Sequence, residues 1–194
     1  MKICFASHNP NKVKEMAQIM SDHFSIVGLN ELGISEDIEE TGDTFEENSR
    51  IKARYVYEKH GIPTFADDSG LSVSSLDGEP GVYSARYAGK HKNDDDNIDL
   101  LLENLKDISD RSAKFQTVVT FIDDKGNEKQ FSGEVKGKII EARLGTNGFG
   151  YDPIFQPEEY EETFAQLSIE VKNRISHRAK AVQKLLEHLN QTYV

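Results

Sequence analysis

The chain has 194 residues, 37% of them hydrophobic and 29% charged, with a net charge of −11. That is the make-up of a globular protein long enough to bury a large core. The acidity argues against a nucleic-acid polymer as partner, because such binders neutralise many phosphates with a basic face. No apolar run approaches the ~18 residues that span a bilayer, which argues against a membrane role. The single cysteine, Cys4, excludes an internal disulfide framework and fits a reducing, cytoplasmic setting.

In chain order, Lys2–Ser7 reads as a buried strand. Asn11–Asp22 reads as a helix with Val13, Met16, Ala17 and Met20 on one face, and Phe24–Leu29 as a second strand. Asp43–His60 is a helix whose Thr44 and Glu47 have capping-box spacing; Gly61 stops it, and Phe45, Ile51, Ala53, Tyr55 and Val56 form its inner side. Two short strands follow, Thr64–Asp67 and Leu71–Ser74, separated by polar residues. Asp94–Lys106 is a helix with an acidic first turn. Lys114–Ile122 and Glu128–Lys136 flank Asp123-Asp124-Lys125-Gly126-Asn127 as a hairpin, and Lys138–Arg143 is a candidate further strand. Leu144–Gln156 reads as an irregular glycine-rich loop. An amphipathic helix from about Ser176, with Val182, Leu185, Leu186 and Leu189 inward, ends the chain. No repeat, low-complexity tract or linker interrupts it, so residues 1–194 are expected to form a single α/β domain with a mixed sheet.

Within Thr64-Phe65-Ala66-Asp67-Asp68-Ser69-Gly70-Leu71 an apolar run meets two adjacent carboxylates, which repel each other unless a cation or proton sits between them. Mg²⁺ suits such a place, since it takes one or two carboxylates and fills its shell with water and phosphate. A polar turn after a strand fits the same residues. Ser7-His8-Asn9-Pro10-Asn11-Lys12 joins the first strand to the first helix, where backbone N–H groups and Lys12 can face an anion; an ordinary helix cap reads the same way. In Gly145-Thr146-Asn147-Gly148-Phe149-Gly150-Tyr151-Asp152-Pro153 the glycines permit close approach. Phe149 and Tyr151 can stack a base, and Asp152 can accept a hydrogen bond from a ring N–H. The alternative is a long loop anchored to the core by its aromatics. Lys172 and Ser176-His177-Arg178 form a last group; with Ser176 as cap, His177 and Arg178 put cations in the first turn of the last helix, where they oppose its dipole. That placement suggests a ligand or, for a bare Ser-His-Arg, a solvated basic stretch.

Taken together, SHNPNK, EETGDTFEEN, ADDSGL, GEPGVYSARYAG, GFGYDPIF and KNRISHRAKA, in this order from residue 7 to residue 181, resemble the inosine triphosphate pyrophosphatase family. Its members are also described as non-canonical purine NTP or dITP/XTP pyrophosphatases. The resemblance implies hydrolysis of ITP, dITP and XTP to the monophosphate and pyrophosphate with Mg²⁺ as cofactor. It implies a curved mixed sheet flanked by helices, two lobes with a substrate cleft between them, and a homodimer. By position, Asp68 matches the catalytic carboxylate and, with Glu39, the metal site. Ser7, His8, Asn9, Pro10, Asn11, Lys12, Lys52 and Ser69 match the phosphate contacts. Phe149, Gly150, Tyr151, Asp152, Lys172, His177 and Arg178 match the purine pocket. Asn11 stands where many bacterial members carry glycine.

Selectivity would follow from hydrogen-bond polarity. Hypoxanthine offers an acceptor at O6 and a donor at N1, the reverse of adenine. A pocket pairing Arg178 with O6 and Asp152 with N1–H suits the first and leaves buried groups unpaired with the second, a mismatch able to discriminate by about 10⁴ or more. Three other classes stay open: a Maf-like dTTP/UTP hydrolase of similar architecture, a haloacid-dehalogenase-type phosphatase, and a nucleotide sensor without turnover. The Ser-His-Arg group and the Gly-Phe-Gly-Tyr-Asp-Pro loop favour the purine enzyme over the first. The second wants Asp-x-Asp where this chain has Asp67-Asp68-Ser69. Intact Glu39 and Asp68 argue against the third.

Overall fold

A computed structural model describes residues 1–20 and 23–194, the side chains of Asn11, Glu15 and Gln18 excepted. Among the described residues six strands and five α-helices follow one another as β1 (Lys2–Phe5), α1 (Pro10–Ile19), β2 (Ser25–Gly28), α2 (Phe45–His60), β3 (Thr64–Val73), α3 (Asp94–Asn104), β4 (Ser112–Ile122), β5 (Glu128–Ile139), β6 (Phe155–Pro157), α4 (Ile169–Ile175) and α5 (His177–Tyr193). The sheet order is β2-β1-β3-β4-β5-β6. It is mixed: β1 runs parallel to β2 and β3, whereas β6 pairs antiparallel with β5 in the register Lys138↔Gln156. The chain is thus α/β, as its alternation of patterns predicts. Ser21 and Asp22, where the sequence reading ends the first helix, lie outside the described residues.

Local chemistry sets the helix ends. Thr44 Oγ1 accepts the backbone N–H of Glu47 at 3.1 Å, and the Glu47 carboxylate reaches back to the N–H of Asp43 at 2.8 Å. Two otherwise orphaned donors of α2 are satisfied in this way. Gly61 closes the other end in a left-handed conformation at φ +62°. Asn93 caps α3 by accepting from Asp96 N, ahead of three aspartates that favour the positive end of the helix dipole.

Three sequence expectations are corrected. Thr64–Asp67 and Leu71–Ser74 are one continuous strand, β3, so Asp67, Asp68 and Ser69 sit in mid-strand and not on a turn. A buried strand tolerates those carboxylates because cations meet them. The strand expected over Lys138–Arg143 does not form: β5 absorbs its first two residues, and the sixth strand is Phe155–Pro157, at the end of what reads as loop. Ala17, expected to face inward, is exposed. Helix α4, too short to carry a period in the sequence, is an addition to the expected elements; Ser168 caps it by accepting from Val171 N at 3.3 Å.

The described chain divides into two compact units. Unit 1 comprises Met1–Asp68, Thr117–Gly133 and Arg178–Val194. On one side of its strands Ile3, Phe5, Phe65 and Phe121 pack with Met16 of α1 and Val182, Leu185 and Leu189 of α5. A second cluster sets Cys4, Ala6 and Ala66 against Ala53 and Val56 of α2. Burial pushes the Cys4 thiol up to about 12, so it acts as a small apolar side chain. Unit 2 comprises Ser69–Gln116 and Glu134–His177, with Leu71, Val73, Ile98, Leu101, Phe115, Phe155 and Phe164 in its core. Each fully buried Phe or Leu of these clusters contributes about 1.5–3 kcal/mol. Among the described residues no helix is long and apolar enough to cross a membrane.

Candidate active site

In unit 1 the turn from β1 into α1 is organised by its own polar groups. Asn9 N donates to Ser7 Oγ at 3.2 Å, and Lys12 N donates to Asn9 Oδ1 at 3.3 Å. Asn9 and Pro10 are exposed, Ser7, His8 and Lys12 half-buried; the Asn11 side chain lies outside the described residues. His8 is anchored: Nδ1 meets Asn30 Oδ1 at 3.0 Å and Nε2 meets Glu36 O at 2.9 Å. Hydrogen bonds to these two acceptors raise the imidazole pKa and favour its protonated form.

The two β3 aspartates differ sharply. Asp67 is 3% exposed and lies between cations: Lys12 Nζ is 3.3 Å and Arg178 Nε 3.2 Å from its Oδ2. Burial would raise its pKa, but Lys12, Arg178 and Lys52 outweigh burial and hold it well below the carboxylate range. Asp68 has the opposite balance. Burial pushes it up to about 6; Lys52 opposes that rise and the charge of Glu40 adds to it. Lys52 Nζ is 2.5 Å from Glu40 Oε1. Its ammonium is favoured by Asp67, Glu40 and Asp68 against burial, so its pKa lies above the ordinary value.

The donor set fits a hard divalent cation. Glu40 and Asp68 are carboxylates whose mutual repulsion a cation would relieve. Among the described residues no cluster of three or more His, Cys, Asp or Glu side chains is placed to hold a metal. Mg²⁺ takes one or two carboxylates and completes its shell with water and phosphate. Glu39 is exposed, and Glu40, half-buried beside it, is the residue whose charge bears on Asp68.

Unit 2 carries the aromatic loop. Phe149 is 52% exposed, with the Lys172 ammonium 5.1 Å from its ring centroid. Tyr151 does the reverse: it is buried, and its hydroxyl donates to Ser84 O at 2.7 Å, so it anchors the loop and presents no open ring face. Gly150 N donates to Asp94 Oδ2 at 2.7 Å. The buried carboxylate of Asp152 accepts from Phe149 N at 3.0 Å and pairs with Lys172 of α4. His177 is buried flat against Phe115. Ser69, half-buried, follows Asp68 on β3. Structure therefore gathers Lys12, Lys52, Asp68 and Arg178 in unit 1, and Phe149, Asp152, Lys172 and His177 in unit 2.

The sequence profile of the Ham1 family matches residues 3–188. The chain belongs to the Ham1 family. A relative from Christiangramia forsetii, described as a dITP/XTP pyrophosphatase, is 50% identical over 191 residues, covering 98% of this chain and 100% of the relative. One from Flavobacterium johnsoniae, described in the same words, is 50% identical over 192 residues, covering 99% and 100%. Among solved structures, the Ham1 protein of Staphylococcus aureus superposes with a TM-score of 0.92 at 42% identity, covering 98% of this chain and 99% of that one. The HAM1 protein of Coxiella burnetii gives 0.93 at 40% identity, covering 99% and 100%.

In this Ham1-family chain, three contributors were not singled out by sequence. Asp67 was read only as half of an acidic pair, Glu40 as the neighbour of Glu39, and Phe115 as an ordinary strand residue. The first two stand beside residues the motifs do pick out. Phe115 carries no signal, because its part depends on a ring 62 positions away along the chain (177 − 115).

Proposed function

We propose that this chain is a dITP/XTP pyrophosphatase, hydrolysing dITP, XTP and ITP to the nucleoside monophosphate and pyrophosphate. The observation that carries this is the charge cluster of unit 1, where buried Asp67 holds Lys12 Nζ at 3.3 Å and Arg178 Nε at 3.2 Å beside Asp68, and Lys52 Nζ stands 2.5 Å from Glu40 Oε1, in a chain 50% identical over 191 residues to a dITP/XTP pyrophosphatase. Burial also pushes the Asp68 carboxyl up to about 6, toward the range that a general base uses.

Unit 1 is assigned the phosphate chemistry. Lys12, Lys52 and the amides of Ser7–Lys12 bind and orient the polyphosphate, offsetting its repulsion from an acidic protein. Asp68 accepts a proton from the water that attacks the α-phosphorus; the bond to the bridging oxygen breaks and pyrophosphate leaves. Asp68, with Glu40 and Glu39, would hold Mg²⁺, which when bound neutralises charge on the phosphoryl oxygens and helps to position that water. Ser69, the first residue of unit 2, is also assigned a phosphate contact.

Unit 2 is assigned the base. Phe149 offers an exposed ring face for stacking, while Gly150 and Tyr151 hold the loop that carries it. Asp152 with Lys172, together with His177, reads the purine edge. Arg178, which belongs to unit 1 and is bonded to Asp67, is assigned to O6. The resemblance favours a homodimer, which light scattering reads directly, and the lone buried Cys4 supports a reducing cytoplasm.

The deciding assay follows pyrophosphate and orthophosphate from XTP, dITP, ITP, GTP and ATP, with Mg²⁺ and with chelator. Metal-dependent pyrophosphate from the first three and little from the last two is the expected result. Orthophosphate, or equal turnover of all five, would remove the assignment.

A further inference from the structure

Asp67 is the most buried charge in unit 1 to which the mechanism gives no chemical step. Its carboxylate touches two cations at once. Lys12 Nζ lies 3.3 Å from Oδ2 and 3.5 Å from Oδ1, and Arg178 Nε lies 3.2 Å from the same Oδ2. Exposure differs along this contact: the Lys12 side chain is 23% exposed, Arg178 6% and Asp67 3%. Solvent, and therefore an arriving anion, reaches the lysine and not the carboxylate. Lys52 has its own partner in Glu40.

We infer that Asp67 is a positioning residue and a counter-charge, which fixes Lys12 and Arg178 and keeps the Lys12 ammonium from retaining the pyrophosphate product. The inference rests on the assignment of Lys12 to the phosphates. Two consequences of a single carboxylate are separable. As a tether it removes freedom from two long cationic side chains, and a misplacement of about 1 Å in such groups costs on the order of 10²-fold in rate. As a charge it offsets one unit of positive field. Pyrophosphate carries several negative charges, so losing that offset strengthens its binding more than it would that of a singly charged ion; about tenfold or more is expected at the intermediate effective dielectric of a partly buried site. An enzyme that must release a polyanion after each turnover benefits from keeping that affinity down.

The test is Asp67→Asn, nearly isosteric and neutral. Measured with XTP and Mg²⁺, kcat should fall about 10²-fold while the inhibition constant of inorganic pyrophosphate falls about tenfold and KM does not rise. A merely structural role predicts lost turnover with weaker or unchanged pyrophosphate inhibition, and that result would overturn the proposal. Because removing one partner of a buried pair can prevent folding, Lys12→Gln is compared with Lys12→Gln/Asp67→Asn, which deletes charge and counter-charge together. The double variant should bind pyrophosphate more tightly than Lys12→Gln alone, and equal or weaker binding would again overturn the proposal. Should Lys12→Gln leave pyrophosphate binding as in the natural chain, the assignment of Lys12 to the phosphates fails, and this inference fails with it.

Discussion

His177 lies flat on Phe115, with ring centroids 4.7 Å apart and planes 9° from parallel. Phe115 in turn meets Phe155 edge-on at 4.7 Å and Phe164 at 6.0 Å, and the Lys172 ammonium stands 5.7 Å from the Phe164 ring. One aromatic shelf in the core of unit 2 therefore orients two of the polar groups assigned to the purine.

Phe115→Leu keeps the apolar bulk and removes the ring. The lost packing and stacking should cost about 1–3 kcal/mol of stability. If the shelf orients His177, KM for XTP should also rise about tenfold, since groups held by packing lose their geometry with it. Phe121→Leu in the core of unit 1 is the control, another buried ring. It should lower the melting temperature comparably with little change in KM. Parallel KM changes in both variants would reduce Phe115 to a stability residue.

Asp68→Asn should lower kcat with XTP by at least about 10²–10⁴, the range that a general base supplies. The fold should survive, because burial already disfavours the charge that the substitution removes. Circular dichroism and a thermal melt in the presence of chelator check the second half; turnover within tenfold of the natural chain would remove Asp68 from the mechanism.

What the sequence made legible followed from local rules. Thr44, Glu47 and Gly61 announce the ends of α2 because caps are read over four residues, and the structure forms those caps. The hairpin turn at Asp123–Asn127 is likewise local: Asp123 Oδ1 accepts from Lys125 N and Asn127 N at 2.8 Å. What escaped depended on distant partners. Asp67-Asp68-Ser69 looks like a strand end because carboxylates are costly in a sheet interior. It is mid-strand because Lys12, Lys52 and Arg178, from other parts of the chain, offset that cost. Strand β6 has three residues, too few for any period, and exists through its pairing with β5. For the proposed site, the motifs single out Asp68, Lys12, Asp152 and Lys172 as candidates. They could not separate a tyrosine that anchors the loop from a phenylalanine that faces solvent.

Acid should destabilise unit 1 through Glu128. Burial acts to raise its pKa, but hydrogen bonds from Arg50 Nε at 2.7 Å and Arg54 Nε at 2.9 Å outweigh that and leave it below its ordinary value. A carboxyl whose pKa is depressed by folding contributes stability above its unfolded pKa and loses it as pH falls through the folded value. Glu128→Gln should therefore cost stability at pH 7, by about 1 kcal/mol for largely exposed arginine partners, and cost progressively less below pH 4. Melts at pH 7 and pH 3.5 check this; a deficit that is the same at both would mean that the pair's charge plays no part.

The glycines around Phe149 provide the sharpest comparison. Gly148 and Gly150 both have positive φ, +81° and +59°, so a side chain strains the backbone at either. Only at Gly148 does a Cβ also meet atoms: it would collide with the Asp152 carboxylate and stand 2.9 Å from Lys172 Nζ, whereas at Gly150 nothing lies within 4 Å. Gly148→Ala must displace the Asp152–Lys172 pair, and Gly150→Ala leaves it in place. If that pair reads the purine, Gly148→Ala should lower kcat/KM for XTP by about 10²-fold and narrow the gap between XTP and ATP, because a buried site whose polar groups are misaligned loses the mismatch penalty that rejects the wrong base. Gly150→Ala should cost less than about tenfold and keep the gap, with its backbone strain showing mainly as lost stability of about 1 kcal/mol. Equal losses of selectivity in the two variants would assign the effect to backbone strain and remove the pair from base recognition.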